Sequence, residues 1–181
     1  SMLMSAINEG EQEEETRRKQ LKLAENMIHQ SQLEMRALLL HLRPVPLKGK
    51  TLNEGIKELL LELQNKVPMD IDWHLEPAVI DKGVEDQLFR IFQESVSNTL
   101  RHSKASLLEV RLFKRENRII MIVSDDGQGF DPNHTKTGSY GLQNMHERAL
   151  EVGGTLKIVS VPKKGTRLEV KIPLIEKGEE K

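Results

Sequence analysis

Two prolines one residue apart, in Arg43-Pro44-Val45-Pro46, divide this chain more sharply than any other feature. Proline has no amide hydrogen to donate and disfavours helical backbone at the residue before it, so no helix passes through that tetrapeptide. The two sides differ in kind. Before the prolines, apolar residues step by three and four in alternation: Leu21, Ala24, Ile28, then Ser31, then Met35, Leu38 and Leu42. This is the a/d seam of a helix over 16–42, with one polar position at Ser31. Leu39 and Leu40 widen the stripe, which suits a bundle better than a two-stranded rope. Upstream, the acidic stretch 9–15 with Gly10 as a breaker predicts a loop, and the apolar start Ser1-Met2-Leu3-Met4 reads as the end of an earlier helix.

After the prolines the pattern is mixed, which makes 44–50 a linker. Thr51 followed by Glu54 is a capping-box signature for a helix reaching about 66. A short strand is expected at 70–75 and a second helix at 82–102. Strands at 107–114 and 118–124 form a hairpin over Arg115-Glu116-Asn117. A helix over 140–152 ends at Gly153-Gly154, and strands at 156–161 and 166–173 close over Pro162-Lys163-Lys164-Gly165. Residues 51–175 therefore read as an α/β sandwich, with helices on one face of a mixed, mostly antiparallel sheet. The tail, 176–181, is charged and frayed. The loop over 125–139 is long for a compact domain, and loops of that kind are lids or binding loops.

Composition narrows the partners. A chain of 181 residues with 37% hydrophobic residues holds one ordinary core plus an appendage. Aromatic residues make up only 3% and the net charge is -1, which argues against stacking on single-stranded nucleic acid or coating DNA. Cysteine is absent, which excludes disulfides, thiolate metal sites and cysteine nucleophiles. No apolar run approaches the ~18 residues of a membrane span, so the chain is expected to be a soluble piece from a reducing compartment.

Four stretches carry chemistry. Asp125-Asp126-Gly127-Gln128-Gly129-Phe130 follows an apolar strand; it is either a strand-ending turn or a place where the backbone approaches a flat ligand, with an aspartate to accept from an exocyclic amine. In the helix before it, Glu94, Asn98 and Arg101 fall on one stripe, either as a solvated face or as a carboxylate and an amide able to orient a reacting group and ligate Mg2+. His102 ends that helix, as a C-terminal cap or a phosphate neighbour. Gly138-Ser139-Tyr140-Gly141-Leu142 leads into a helix whose first amides suit phosphate, or is simply a mobile entry. Gly165-Thr166 starts the last strand and offers a hydroxyl.

In order and content these stretches resemble the N box, the two glycine boxes and the closing Gly-Thr of the ATP-binding domain shared by sensor histidine kinases, type II topoisomerases, MutL mismatch-repair proteins and heat-shock chaperone ATPases. The resemblance implies a Bergerat-type fold that binds ATP with Mg2+. It implies Asn98 as the metal ligand, Glu94 as its catalytic companion, Asp125 as the adenine reader and Gly127 and Gly129 as the glycines beneath the base. It further implies Gly138, Tyr140, Gly141 and Leu142 at the lid end, Arg101 and His102 near the phosphates, and Thr166 as a late base-pocket hydroxyl. Asp126 stands where many relatives have asparagine. Met35-Arg36-Ala37-Leu38-Leu39-Leu40-His41-Leu42-Arg43-Pro44, followed by Gly55-Ile56, resembles the second bundle helix and linker of NarL-partner, DesK-like kinases. The stretches 93–103 and 139–150 are particularly similar to LiaS/VraS-type cell-envelope stress sensors.

That resemblance implies an ATP-dependent histidine kinase whose partners are ATP or ADP, a NarL-type response regulator and a second copy of itself through the bundle, with no nucleic acid. It also implies the cytoplasmic domain of a membrane-anchored bacterial parent. The phosphoacceptor is expected upstream of Ser1, because none of the six histidines stands in the right place; His146-Glu147 has the dipeptide but lies after the lid. Two rival readings are an ATP-driven clamp of the topoisomerase or MutL kind and a nucleotide-binding interaction module without kinase activity.

Overall fold

The computed structural model describes the backbone of residues 2–42, 47, 49–131 and 140–174, with side chains from residue 12 to 40 in the first stretch. Helix α1, Met2–Leu42, is continuous. The loop expected at 9–15 is helical instead. Glu13, Glu14 and Glu15 pair with Arg17, Arg18 and Lys19 one turn later at 3.2, 2.8 and 2.7 Å, each acid on the N-terminal side of its cation, the favourable order. A single interior glycine costs about 1 kcal/mol against alanine, too little to break a helix so supported.

Helix α2, Leu52–Gln64, starts as expected: the Thr51 hydroxyl accepts from the Glu54 amide, and the Glu54 carboxylate accepts from the Thr51 amide at 2.8 Å. A second acid pins the same end, since buried Glu85 accepts from the Leu52 amide at 2.9 Å and pairs with Lys82 at 3.1 Å. Strand β1, Asp70–Leu75, is followed by α3, Lys82–Asn98, which continues as a π-helical turn, Thr99–Ser103. Then come β2, Leu107–Arg115, and β3, Arg118–Asp125, joined through Glu116 in left-handed backbone (φ +55) and Asn117. Helix α4, Tyr140–Glu151, and strands β4, Thr155–Ser160, and β5, Thr166–Pro173, complete the described elements.

The five strands lie in the order β1-β2-β3-β5-β4. Among the described strands only β1 and β2 run parallel, as a pair linked through a helix must be able to do. The other neighbours are antiparallel. Helices α2, α3 and α4 cover one face. Phe92, Leu88, Ile91 and Val96 of α3 are buried in one core with Val110 and Leu112 of β2, Ile119 and Met121 of β3 and Val170 of β5. The opposite face carries ion pairs, Arg111 to Asp72 at 2.6 Å and Lys171 to Glu169 at 2.7 Å, around the buried Ile120 and Ile122. Among the described residues no helix is long and apolar enough to cross a membrane.

Helix α1 lies along the outside of α3. The stripe it buries within the chain is Ala37 and Leu40, with Leu33 half-buried above them, while the seam positions Leu21, Ile28, Met35 and Leu38 stay 54–65% exposed. Ala37 and Ser97 are both fully buried where the helices meet, because small side chains let two backbones approach. Polar groups complete that contact: Ser97 Oγ donates to the Ala37 carbonyl at 3.4 Å, and Gln93 Nε2 to the Leu40 carbonyl at 3.3 Å. The latter caps one of the carbonyls that a helix end leaves without an internal partner.

Candidate functional site

The end of α3, the π-helical turn, the loop after β3, the first turn of α4 and the β4–β5 pair surround a cavity of about 410 Å3. Glu94, Asn98, Arg101, His102, Asp125, Gly129, Gly141, Leu142 and Thr166 all line it. These nine come from stretches far apart in sequence, and the sequence singles out every one. Gly127 lies just behind the lining. Tyr140 opens α4 but is 77% exposed and is not among the residues that line the cavity. Gly138 lies outside the described residues.

At one end, Asn98 sits a turn after Glu94 on α3, and its Nδ2 donates to Glu94 Oε1 at 3.2 Å. That bond uses the amide's N–H, so its carbonyl oxygen is the atom suited to a hard cation. Gly141 brings the start of α4 against the same acid: a Cβ there would overlap the Glu94 carboxylate. The π-helical turn changes the phase after Asn98, so Arg101 does not simply continue the α-helical stripe. Burial holds the His102 imidazole below the usual histidine range, helped by neighbouring Arg101 and opposed by Glu34 and Glu94.

At the other end, Asp125 is the last residue of β3. Its Oδ1 accepts from the Gly127 amide at 2.9 Å and its Oδ2 from the Thr99 hydroxyl at 3.4 Å. Burial pushes its carboxyl above the usual aspartate range, and these donors offset part of that rise. Asp126 turns the opposite way. It accepts from the Ser106 and Leu107 amides, each at 2.8 Å, and from the Ser106 hydroxyl, which holds its carboxyl low. The residue that departs from the usual asparagine thus ties the loop to the start of β2. Gly129 takes left-handed backbone (φ +56), and a Cβ there would overlap the Val161 carbonyl, so glycine is required twice over. The Thr166 hydroxyl lies 2.9 Å from Ser160 Oγ, which also accepts from the Phe130 amide.

Sequence reasoning missed the walls. Val123, Phe130, Met145, Ile158 and Leu168 give the cavity its apolar sides, and nothing separates them in sequence from ordinary core residues. Thr99, Ser103 and Gln128 also line it. Among the described residues no cluster of three or more His, Cys, Asp or Glu could hold a metal by itself.

Residues 83–176 match the family of histidine kinase-, DNA gyrase B- and HSP90-like ATPases. The chain belongs to that family. Within it the similarity points to the sensor kinases. The chain is 53% identical over 174 residues to the sensor protein VraS of Staphylococcus saprophyticus and 51% identical to VraS of Staphylococcus aureus, covering 96% of this chain in each case. It spans 50% of those relatives' length. Among solved structures, the histidine kinase domain of the blue-light activated kinase EL346 from Erythrobacter litoralis superposes with a TM-score of 0.62 at 15% identity, over 78% of this chain and 73% of that one. The ATP-binding domain of PrrB from Mycobacterium tuberculosis gives 0.58 at 18% identity, over 70% and 96%. These likenesses show the fold. Family membership together with the sensor-protein relatives makes this the ATP-binding part of a histidine kinase, on the α/β fold expected from its sequence.

Proposed function

We propose that the cavity is the ATP site of this domain, and that the chain is the catalytic part of a sensor histidine kinase. The observation that supports the reading is convergence: an acid and an amide from α3, a strand-end aspartate, a glycine at the start of α4 and a threonine from β5 all meet around one space. Asp125 accepts from the exocyclic amine of adenine, between the apolar walls. Asn98 supplies an amide oxygen to Mg2+. Among the described residues no acidic cluster could hold the ion by itself, so phosphate oxygens and water would complete its shell, which suits magnesium's preference for few protein ligands. When bound, Mg2+ neutralises charge on the phosphates. Glu94, held by the Asn98 amide, orients or deprotonates the incoming nucleophile. Gly141 lets the α4 amides come near the phosphate end, and Arg101 and His102 stand on its other side. Phosphoryl transfer depends mostly on such positioning and charge stabilisation.

The acceptor is a histidine outside these residues, and the phosphoryl group then passes to an aspartate of a NarL-type response regulator. The exposed seam of α1 is the part of residues 1–43 that assembles with a second copy in a four-helix bundle, 44–50 is the linker and 51–175 the catalytic unit. The parent is a membrane-anchored kinase with this part on the cytoplasmic side.

Calorimetry with ATP and Mg2+ tests the site. Losing a hydrogen bond to a charged group costs about 1.5–3 kcal/mol, so Asp125→Asn should bind ATP roughly ten- to hundredfold more weakly. Asn98→Ala should lose affinity only when magnesium is present. Wild-type affinity in both variants would refute the assignment.

A further inference from the structure

Helix α3 ends in a way its sequence does not require. The turn Thr99–Ser103 is π-helical, and Lys104 closes it in left-handed backbone (φ +52). Single π turns are uncommon and concentrate at functional sites, so this one invites the question of what holds it and what it holds.

Buried Ser103 holds it. Its hydroxyl donates to the Thr99 carbonyl at 2.8 Å and accepts from the Ala105 amide at 3.0 Å, joining the first residue of the turn to the chain beyond its end. The turn in turn holds the loop after β3. Ser103 O accepts from the Gln128 amide at 2.7 Å, and the His102 carbonyl accepts from the Gln128 side-chain amide. Gly127 packs so closely on Ser103 that a Cβ would overlap its carbonyl oxygen. Gln128 O accepts from the Lys163 amide at 2.6 Å, which extends the brace to the β4–β5 connection. The last tie reaches the carboxylate itself, through the Thr99 hydroxyl on Asp125 Oδ2, opposite the Gly127 amide on Oδ1.

An aspartate at a strand end has two soft torsions, and a ligand that must order them loses affinity. Here the carboxylate already accepts from the Gly127 amide on Oδ1 and the Thr99 hydroxyl on Oδ2, with the Thr166 backbone amide as a further donor. Those donors set its plane and still leave lone-pair capacity for a ligand, since a carboxylate has about four acceptor sites.

We propose that Thr99, Ser103 and Gln128 are positioning residues of the nucleotide site, which brace the Asp125 carboxylate and the Gly127 turn in the geometry that reads an adenine amine. The inference rests on the cavity being the ATP site. The three act through Asp125 and are not catalytic residues.

The test compares ATP with inosine triphosphate, which carries a carbonyl in place of the amine. Wild-type chain should prefer ATP. Thr99→Val keeps the side-chain shape and removes the hydroxyl; it should weaken ATP binding by about threefold to tenfold, the worth of one hydrogen bond, and leave inosine triphosphate nearly unchanged. The preference ratio falls, and Thr99→Ser restores it. A merely structural role would weaken both nucleotides together. Gln128→Ala removes the side-chain tie at an exposed position and should lower the ratio in the same way, which covers the case of a Thr99→Val chain that does not fold. An unchanged ratio in Thr99→Val, or in Gln128→Ala in that case, overturns the bracing role. Asp125→Asn separates the two claims. If it abolishes the preference while the bracing variants keep it, only this inference falls; if it also keeps the preference, or the wild type does not bind, the ATP-site reading falls with it.

Discussion

At the scale of single residues, the adenine contact proposed for Asp125 sets binding against stability. Burial raises its carboxyl above the ordinary aspartate value, so the folded chain holds that proton more tightly than the unfolded chain does. Its contribution to stability is therefore fully present below the unfolded value and is lost as pH rises through the raised folded value. At neutral pH the ionised, half-buried carboxylate is a cost. Asp125→Asn should accordingly raise the melting temperature of the nucleotide-free chain at neutral pH while weakening ATP binding, and thermal melts with and without ATP would show the two effects with opposite signs. Protonation removes an acceptor from the site. ATP affinity should thus begin to fall with acidification at a higher pH than an ordinary aspartate would give, and titrations of the Asp125→Asn chain should lack that fall. An affinity flat through this range in the wild type would contradict the role given to Asp125.

At the scale of elements, the contact between α1 and α3 turns on one small residue. Ala37 is fully buried against α3, flanked by the Ser97 and Gln93 hydrogen bonds to α1 carbonyls. Inserting methylenes into a well-packed contact typically costs about 1–3 kcal/mol, so Ala37→Leu should destabilise the chain by that order in urea unfolding, whereas Leu38→Ala, one position away on the exposed side, should change little. Equal effects would mean that the packed face of α1 has been misassigned. Gln30 makes a further link, donating to the Arg101 carbonyl at 3.4 Å. Helix α1 therefore touches the π-helical turn that forms the wall of the cavity. The continuity of α1 is testable as well. Gly10→Ala should increase helix content by circular dichroism, since glycine within a helix is about 1 kcal/mol worse than alanine; no increase would favour the loop that the acidic stretch suggests.

At the scale of the whole molecule, the exposed seam of α1 and the cavity are separate surfaces and should respond separately. Replacing Ile28 and Met35 by glutamate should abolish any self-association seen by sedimentation and leave ATP affinity unchanged. Incubation with γ-labelled ATP should give no acid-labile label on the chain alone; robust self-labelling would point to one of its own histidines, His41 or His146 first. The sequence by itself determined the local pieces. Thr51 and Glu54 specify a cap, and the alternation in 107–114 with the apolar run 119–123 and the polar turn between them a hairpin, because each depends on residues within a turn or two of one another. The polar half of the site was legible for a related reason: Glu94 and Asn98 share a helix, and Asp125 to Gly129 share one loop. Tertiary structure alone decided which stripe of α1 is buried, the strand order β1-β2-β3-β5-β4, the π-helical end of α3 and the bracing by Thr99 and Gln128. Thr99 meets a carboxylate 26 positions away and Gln93 a carbonyl 53 positions away. No pattern within either segment encodes such a partner, because the energy of the contact exists only once the sheet has brought the two together.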